Sequence, residues 1–319
     1  MGSHRRVARL LVGTACLGAA LIATASAASQ GRKIELGLDG APGRFGSLTH
    51  QSSSVRLIII AWNQGGGSPQ YFAKLFSTML AEPMLGIGIP DGSSLSPGAI
   101  ADGKGDAFLL GLNQAVAAWG KPIYVRPLAE MNGHWNSYSA YNANGTSRGA
   151  RYSTREFRKA FARIYLIVHG DPAANAKLAR LGLPPVSGTL TPAPDVELIW
   201  NPQGYGSPNL RGNSAAAYYP GNRYVDVVCD DLYDIRYKAE WPAAAALYRA
   251  HPGKPFAFPE WGLWGIDDPR FVQAMARFVR THPRTSLISY FNARPGSVFD
   301  IAAKPRSRSA YRRLIAPLG

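Results

Sequence analysis

The segment VRLIIIAW, residues 55–62, is the clearest secondary-structure signal in the chain. Its branched aliphatic residues follow one another without polar alternation, which is typical of a strand that is buried on both faces. The segment VDVVCDD, residues 225–231, has the same character and ends in two acidic residues. Strands covered on both faces occur almost only in parallel sheets with helices on each side. These two segments therefore indicate an α/β protein.

Outward from these segments, short apolar strands alternate with helical patterns. The other predicted strands are 33–38, 83–89, 122–128, 196–200, 255–261 and 286–291, and the predicted helices are 69–80, 106–119, 154–169, 239–250 and 269–281. Eight strands with intervening helices predict a (β/α)8 TIM barrel. A doubly wound sheet is the structural alternative, but no strand is followed by the glycine-rich turn of a dinucleotide-binding fold.

Residues 1–27 have the composition of a signal peptide. Three arginines precede the apolar stretch 10–23, and Ala25–Ala27 fits a small-residue cleavage site. The apolar stretch is too short for a membrane span, and no later segment contains eighteen successive apolar residues. We therefore expect a secreted or cell-envelope protein with a single domain over residues 28–319.

The composition is that of a globular protein with a strongly basic charge. Hydrophobic residues make up 46% of the chain and charged residues 17%, which excludes disorder as the main state. The formal net charge of +15 would suit an anionic cell-surface polymer. No nucleic-acid partner is predicted, because no recognition-helix, zinc-finger or RNA-binding signature is present.

Several other classes of chemistry find no support in the sequence. The six histidines are scattered without ligand spacing, so we predict no metal and no cofactor. A G-x-S-x-G nucleophile elbow is absent as well, which argues against a serine hydrolase. Cys229 is the one cysteine that remains after signal-peptide removal, so no disulfide is expected within the mature chain. We expect a monomer.

Two glutamates stand where a barrel enzyme carries its chemistry, at the C-terminal ends of strands. Glu130 follows the predicted fourth strand within EMNGHW, and Glu260 ends the seventh within EWGLW. The other five glutamates lie inside strands, on helices or before a strand. Glycosidic cleavage needs two such carboxyl groups, one to protonate the leaving oxygen and one to attack or stabilise the anomeric carbon. Nearby tryptophan faces would supply a platform for sugar rings.

Three segments, in this order, resemble glycoside hydrolase family 26. RPLAEMNGHW, residues 126–135, is similar to the acid/base motif R-P-x-H-E-M-N-G-x-W. YYPGNRYVDVVCDDLY, residues 218–233, resembles the sixth-strand segment, and KPFAFPEWG, residues 254–262, resembles the nucleophile strand. The resemblance implies a retaining enzyme of clan A that cleaves a β-linked polysaccharide, most often β-1,4-mannan. It also implies that Glu130 is the acid/base, that Glu260 is the nucleophile, and that Tyr233 holds the nucleophile by a hydrogen bond.

The chain departs from the family pattern at three positions. Ala129 stands where the family usually has histidine, and Cys229 where it often has glycine. The eighth strand, LISYFNAR, offers only Tyr290 and Phe291 in place of the usual tryptophan. The catalytic pair is kept, but the substrate is left open between mannan, β-glucan, xylan and an acidic bacterial polysaccharide. A non-catalytic carbohydrate-binding barrel at the cell surface is the alternative from another class.

The remaining candidates are polar or aromatic residues near strand ends. Arg126 is expected low in the barrel mouth, where it can hydrogen-bond the nucleophile. At least two of the four candidate tryptophans are expected to face the cleft. Asn132 either touches substrate or holds its loop, and Asp231 either binds substrate or orients Tyr233. The predicted substrate-binding residues are Arg126, Asn132, Trp135, Trp200, Asp231, Tyr233, Trp261, Trp264 and Tyr290.

Overall fold

The strands of the described residues close into a parallel barrel. A computed structural model describes residues 33–79 and 82–319, and the stretch from Ile34 to Gly319 forms one unit. The strands are β1 Glu35–Asp39, β2 Val55–Ala61, β3 Glu82–Gly88, β4 Ile123–Pro127, β5 Val196–Trp200, β6 Val227–Cys229, β7 Leu232–Ile235, β8 Phe256–Trp264 and β9 Thr285–Phe291. The predicted signal peptide and the predicted domain start at residue 28 lie outside the described residues.

The barrel closes because β1 pairs with both β2 and β9, and β6 pairs with both β5 and β8. The strands β6 and β7 both pair with β8, so they are successive segments of one barrel position. The sixth strand is therefore shorter than the predicted segment 225–231, and β7 follows it as a second segment of the same barrel position. The barrel has eight parallel positions, which confirms the (β/α)8 TIM barrel.

Helices lie outside the barrel and alternate with the strands. They are α1 Pro42–Thr49, α2 Pro69–Thr78, α3 Pro97–Ala101, α4 Asp106–Trp119, α5 Thr154–Val168, α6 Ala174–Arg180, α7 Ala215–Tyr218, α8 Trp241–Ala250, α9 Pro269–Thr281 and α10 Pro305–Leu314. The N-cap of α9 is Asp268, whose side chain accepts from the Arg270 amide, as its Asp-Pro start predicts. None of the helices in the described part of the chain is long and apolar enough to cross a membrane.

The buried apolar residues form two layers. One cluster contains only strand residues and fills the barrel: Val55, Leu57, Met84, Tyr124, Ile199, Val227, Cys229, Ala257 and Leu287. A larger cluster joins the strands to the surrounding helices. The strands are thus covered on both faces, as their continuous apolar runs predict.

The basic C-terminal segment forms α10, and this helix buries one face. A solvated helix is the simplest expectation for such a charge run, but Tyr311 is fully buried. Its ring stacks on Trp261 with a centroid separation of 5.6 Å and an interplanar angle of 7°. The C-terminal segment also contacts the residue just before β1, since the Ile34 amide donates to the Leu318 carbonyl at 2.9 Å.

Candidate active site

Glu130 stands on a strained stretch of backbone just after β4. Leu128 and Glu130 both have a φ of 52°, in the left-handed region that costs residues other than glycine of order 1–3 kcal/mol. The surroundings hold this geometry, because the Leu128 amide donates to the Ile87 carbonyl and the Glu130 amide to the Asn201 carbonyl. Strain of this kind is concentrated at functional sites.

The carboxyl group of Glu130 has two hydrogen-bond donors. Trp135 Nε1 donates to Oε2 at 2.6 Å, and Gln203 Nε2 donates to Oε1. Burial and the nearby charge of Glu260 raise the pKa of Glu130 above its ordinary value. A carboxyl group whose pKa is raised above its ordinary value holds its proton to higher pH, which suits a general acid.

The carboxylate of Glu260 is oriented by different partners. Arg126 Nη1 donates to Oε1 at 2.6 Å, and Tyr233 Oη donates to Oε2 at 2.5 Å. The contact between Tyr233 and Glu260 that the family resemblance implies is therefore present. The pairing of β8 with β9 shifts register between Phe258 and Trp261, so Glu260 lies at a local irregularity of its strand. Bulges of this type often re-aim a side chain next to an active site.

Arg126 and Asp231 are buried beneath the two glutamates. The Arg126 guanidinium donates to Asn201 Oδ1 at 2.7 Å, to Glu260 and to Asp231. Asp231 uses its other oxygen to accept from the Glu260 amide at 3.1 Å. Arg126 is only 2% exposed and donates to Glu260, as expected for a residue low in the barrel mouth. Asp231 is also 2% exposed but is one of the residues that line the cleft. Both residues position Glu260 through their contacts with it, and substrate binding by either stays a prediction.

Both glutamates open into one cleft of about 870 Å³ at this end of the barrel. The side chains of Trp135 and Trp264 also line it and are 46% and 47% exposed. Tyr233, Phe291 and Phe299 add further aromatic surface. Two of the four candidate tryptophans therefore face the cleft, as expected, and they are available to stack on a ring-shaped ligand.

The prediction that Trp200, Trp261 and Tyr290 bind substrate is wrong, since all three side chains are fully buried. Trp200 packs on Tyr219 and His251, Trp261 on Phe271, Tyr290 and Tyr311, and Tyr290 on Phe45. Successive side chains of a strand point to opposite faces. The neighbours Asn201, Glu260 and Phe291 are the residues that face inwards, so the aromatic residue beside each points to the helices.

Of the two expectations for Asn132, the structure favours the one in which it holds its loop, because the side chain is fully buried and ties two loops together. Its Nδ2 donates to the carbonyls of Gln203 and Tyr205 at 2.9 and 3.1 Å, and its Oδ1 accepts from the Gln203 amide at 2.8 Å. These bonds tie the segment after β4 to the segment after β5. Asn132 therefore places Gln203 beside Glu130 and has no side-chain surface left for substrate.

Several lining residues were missed at the sequence level. They are Gln203 and Tyr205 after β5, Ile235, Arg236, Lys238 and Glu240 at and after β7, and Phe299 after β9. All lie at or beyond the C-terminal ends of strands, so the rule that selected Glu130 covers them too. The sequence lacked a signal that separates these residues from the many other polar residues in the same loops.

Comparison with known proteins gives one distant relative among curated sequences. No family model matches the chain. Endoglucanase H of Acetivibrio thermocellus is 26% identical over 230 residues, which covers 68% of this chain and 22% of that protein. The chain thus spans about a fifth of the length of this relative.

Solved structures give a more extensive likeness. A Bacillus subtilis mannanase is 18% identical with a TM-score of 0.59 and covers 90% of this chain and 87% of that one. A family 26 β-mannanase from Bacteroides ovatus is 16% identical with a TM-score of 0.55, covering 90% and 89%. A β-mannanase from a symbiotic protist of the termite Reticulitermes speratus is 15% identical, with a TM-score of 0.53 and coverage of 93% and 91%. The chain therefore has the fold of the family 26 β-mannanases, the family that its three motifs resemble.

Proposed function

We propose that this protein is a retaining glycoside hydrolase that cleaves a β-linked polysaccharide, with Glu260 as the nucleophile and Glu130 as the acid/base. The observation that carries the proposal is the pair of carboxyl groups in one aromatic-lined cleft, each with different partners. Residues that share a site but differ in environment can take the separate roles of acid and nucleophile.

In the first step, a Glu260 oxygen attacks the anomeric carbon while Glu130 gives its proton to the departing glycosidic oxygen. The bond to the leaving sugar breaks, and an ester forms between the glycan and Glu260. In the second step, Glu130 takes a proton from a water molecule that attacks the same carbon. The ester breaks, the Glu260 carboxylate is restored, and the product keeps the configuration of the substrate.

The contacts of Glu130 support its change of role between the two steps. The negative charge of Glu260 is one of the causes that raise the pKa of Glu130. Ester formation neutralises Glu260, so this contribution disappears when the intermediate forms. The pKa of Glu130 then falls, and the group that donated a proton becomes able to accept one.

The proposed substrate is a β-1,4-linked glycan of the mannan type. Its support is the fold, which this chain shares with several mannanases, one of them solved with a gluco-manno-oligosaccharide. The curated relative is named an endoglucanase, so a β-glucan is the nearest alternative. Ala129 stands where the family has histidine, and the eighth strand offers Tyr290 and Phe291 in place of the family's tryptophan. The sugar preference of this chain therefore has to be measured separately from that of the family. We further propose secretion through the N-terminal signal peptide.

The test separates the two glutamates. Glu260→Ala is expected to abolish turnover of every substrate, because no covalent intermediate can form. Glu130→Ala is expected to impair natural glycosides but to retain the first step with a dinitrophenyl glycoside, whose leaving group needs little protonation. Added azide should then restore turnover, because azide needs no general base. Glu240→Ala is the matched control, since this glutamate lines the same cleft without touching either carboxyl group.

Reducing-sugar release should be followed on mannans, mixed-linkage glucans, xylans and acidic bacterial polysaccharides, and NMR should report the anomeric configuration of the product. Hydrolysis at the wild-type rate by either folded variant would reject the role assigned to that glutamate. A folded wild type that binds oligosaccharides but hydrolyses none would support the non-catalytic binding barrel.

A further inference from the structure

A strained turn stands at the rim of the cleft. The strand β7 ends at Ile235, and the chain reverses at once, with the Ile235 amide donating to the Lys238 carbonyl at 3.2 Å and the Lys238 amide to the Ile235 carbonyl at 3.0 Å. The two central residues, Arg236 and Tyr237, have φ values of 54° and 62°. Two-residue turns with this backbone strongly favour asparagine and glycine. The chain thus has two large side chains at positions where glycine or asparagine would adopt the backbone conformation at a lower conformational free energy.

The turn presents two cations to the cleft. Arg236 and Lys238 are both exposed, and both line the cleft that contains Glu130 and Glu260. Within residues 33–79 and 82–319, no carboxylate forms a salt bridge with either of them. They differ in this from Arg126, whose charge is engaged by Asp231 and Glu260.

The acids deep in the cleft do not require these rim cations. Asp231 and Glu260 already share the buried guanidinium of Arg126, and Glu130 is held by neutral donors. Among the residues that the structure describes, Glu240 is the one carboxylate that lines the cleft at the same rim. The rim thus carries more positive than negative charge, on a molecule whose net charge is already +15. Such a surface attracts an anionic ligand and speeds its encounter.

We propose that Arg236 and Lys238 form a subsite for a negatively charged sugar unit of the glycan that lies in the cleft. The inference rests on the proposed function and narrows its substrate to a β-linked glycan of that type whose sugar units carry carboxylate or sulfate groups. A guanidinium binds either group through two parallel hydrogen bonds, and an ammonium adds a point charge. Exposed apolar surface of Ile235, Tyr237 and Trp264 lies in or beside the same rim, ready to cover the face of a sugar ring.

The test compares a charged and a neutral substrate in paired variants. The double variant Arg236→Gln/Lys238→Gln removes both rim cations. We expect its kcat/KM to fall roughly tenfold on a uronate-bearing β-glycan, mainly through KM, and to stay within about twofold on the neutral glycan of the same linkage. The wild-type rate on the charged glycan should also decline with added salt. Arg277→Gln/Arg280→Gln removes the same charge from the exposed face of α9 and should change neither rate.

In a third arm, a sulfated glycan of the same linkage replaces the uronate-bearing glycan at the same pH, and the larger loss of kcat/KM in the double variant identifies the anionic group that the subsite prefers. Equal losses on charged and neutral glycans, or a loss with the α9 variant of the same size, would overturn the subsite. If the wild type hydrolyses nothing, the proposed function fails, and calorimetry then decides the subsite separately. Binding of an anionic oligosaccharide that depends on Arg236 and Lys238 would support it, and binding indifferent to both would reject it.

Discussion

The carboxyl group of Glu130 is subject to opposing influences. Burial and the charge of Glu260 raise its pKa, while the hydrogen bond from Trp135 favours the carboxylate and lowers it. The same indole is 46% exposed and lines the cleft, so Trp135 contacts both the acid and the space for substrate. The side chain of Trp135 therefore couples the proton affinity of Glu130 to the binding of a ligand in the cleft.

Replacement of Trp135 by phenylalanine keeps an aromatic surface and removes the donor. Because the lost hydrogen bond favours the charged form, the pKa of Glu130 should rise, and the alkaline limb of the kcat/KM profile should move to higher pH. We also expect kcat/KM at the optimum to fall roughly tenfold, since a hydrogen bond to a charged group is lost.

Trp264→Phe is the control for this change, because Trp264 lines the same cleft and packs on Tyr233 and Phe299 instead of Glu130. Its alkaline limb should coincide with that of the wild type. A limb that moves to lower pH in Trp135→Phe, or by the same amount in both variants, would contradict the role of the indole donor.

At the scale of the elements, close backbone packing shapes the side of the barrel after β2. The helix α4 lies directly against the short 3-10 turn Gln64–Gly67. A Cβ atom built on Gly111 of this helix would lie 1.8 Å from the Gly67 carbonyl oxygen. The helix can approach this closely only because position 111 has no side chain.

Gly111→Ala should therefore destabilise the protein, although alanine is the better helix former by roughly 0.5–1 kcal/mol. The methyl group would push α4 away from the turn, and overpacking of this type costs about 1–3 kcal/mol in the free energy of unfolding. Urea denaturation followed by circular dichroism measures the change.

The same substitution at Gly43 of α1 should have the opposite sign. No atom lies within 4 Å of a Cβ built there, and the residue is exposed in a helix. Gly43→Ala should raise the free energy of unfolding by about 0.5 kcal/mol. A stabilising Gly111→Ala would show that α4 moves freely relative to the turn.

At the scale of the whole molecule, buried carboxyl groups determine how stability depends on pH. Burial, with Glu82 nearby, raises the pKa of Glu35 to about 8, and burial raises the pKa of Asp230 to about 8. Both groups hold protons that the unfolded chain releases from about pH 4.5 upwards. Their contribution to stability is present below the ordinary carboxyl pKa and is lost as the pH rises towards 8.

Asp300 acts in the opposite direction. The Arg44 guanidinium, which donates to both of its oxygens at 2.9 Å, lowers the pKa of this carboxyl below its ordinary value. Its contribution to stability is present above the ordinary pKa and is lost as the pH falls. The two effects together place the greatest stability near the ordinary carboxyl pKa, at about pH 4.

We therefore expect the melting temperature to fall between pH 5 and pH 8. Glu35→Gln keeps an acceptor for the hydroxyl of Tyr124, which donates to Glu35 at 2.5 Å, and removes one titrating group. The melting temperature of this variant should fall by several degrees less than that of the wild type between pH 5 and pH 8. Asp195→Asn, in an exposed loop, should follow the wild type, and a wild-type melting temperature that rises from pH 5 to pH 8 would refute the assignment.

Much of this architecture was predictable from local pattern. The apolar run at 55–62 predicted a strand covered on both faces, and β2 places Val55 and Leu57 in the barrel interior and Ile60 against the helices. Ile59, near the C-terminal end of this strand, departs from the prediction because it is 53% exposed. The Asp-Pro start at 268 predicted the beginning of α9. The rule that chemistry lies at the C-terminal ends of strands selected Glu130 and Glu260, and both line the cleft at that end. Their catalytic roles stay predictions.

The order of strands and helices and the two acidic strand ends follow from local sequence, because they depend on residues close together in the chain. Which member of a neighbouring pair faces the cleft follows from the folded barrel alone, as with Glu260 and Trp261 or Phe291 and Tyr290. A strand that is apolar on both faces has no alternation to reveal its inward side, and a shift of one residue exchanges the two faces. The donors to Glu130 and the cations at the rim come from separate loops, and barrel closure alone brings them together.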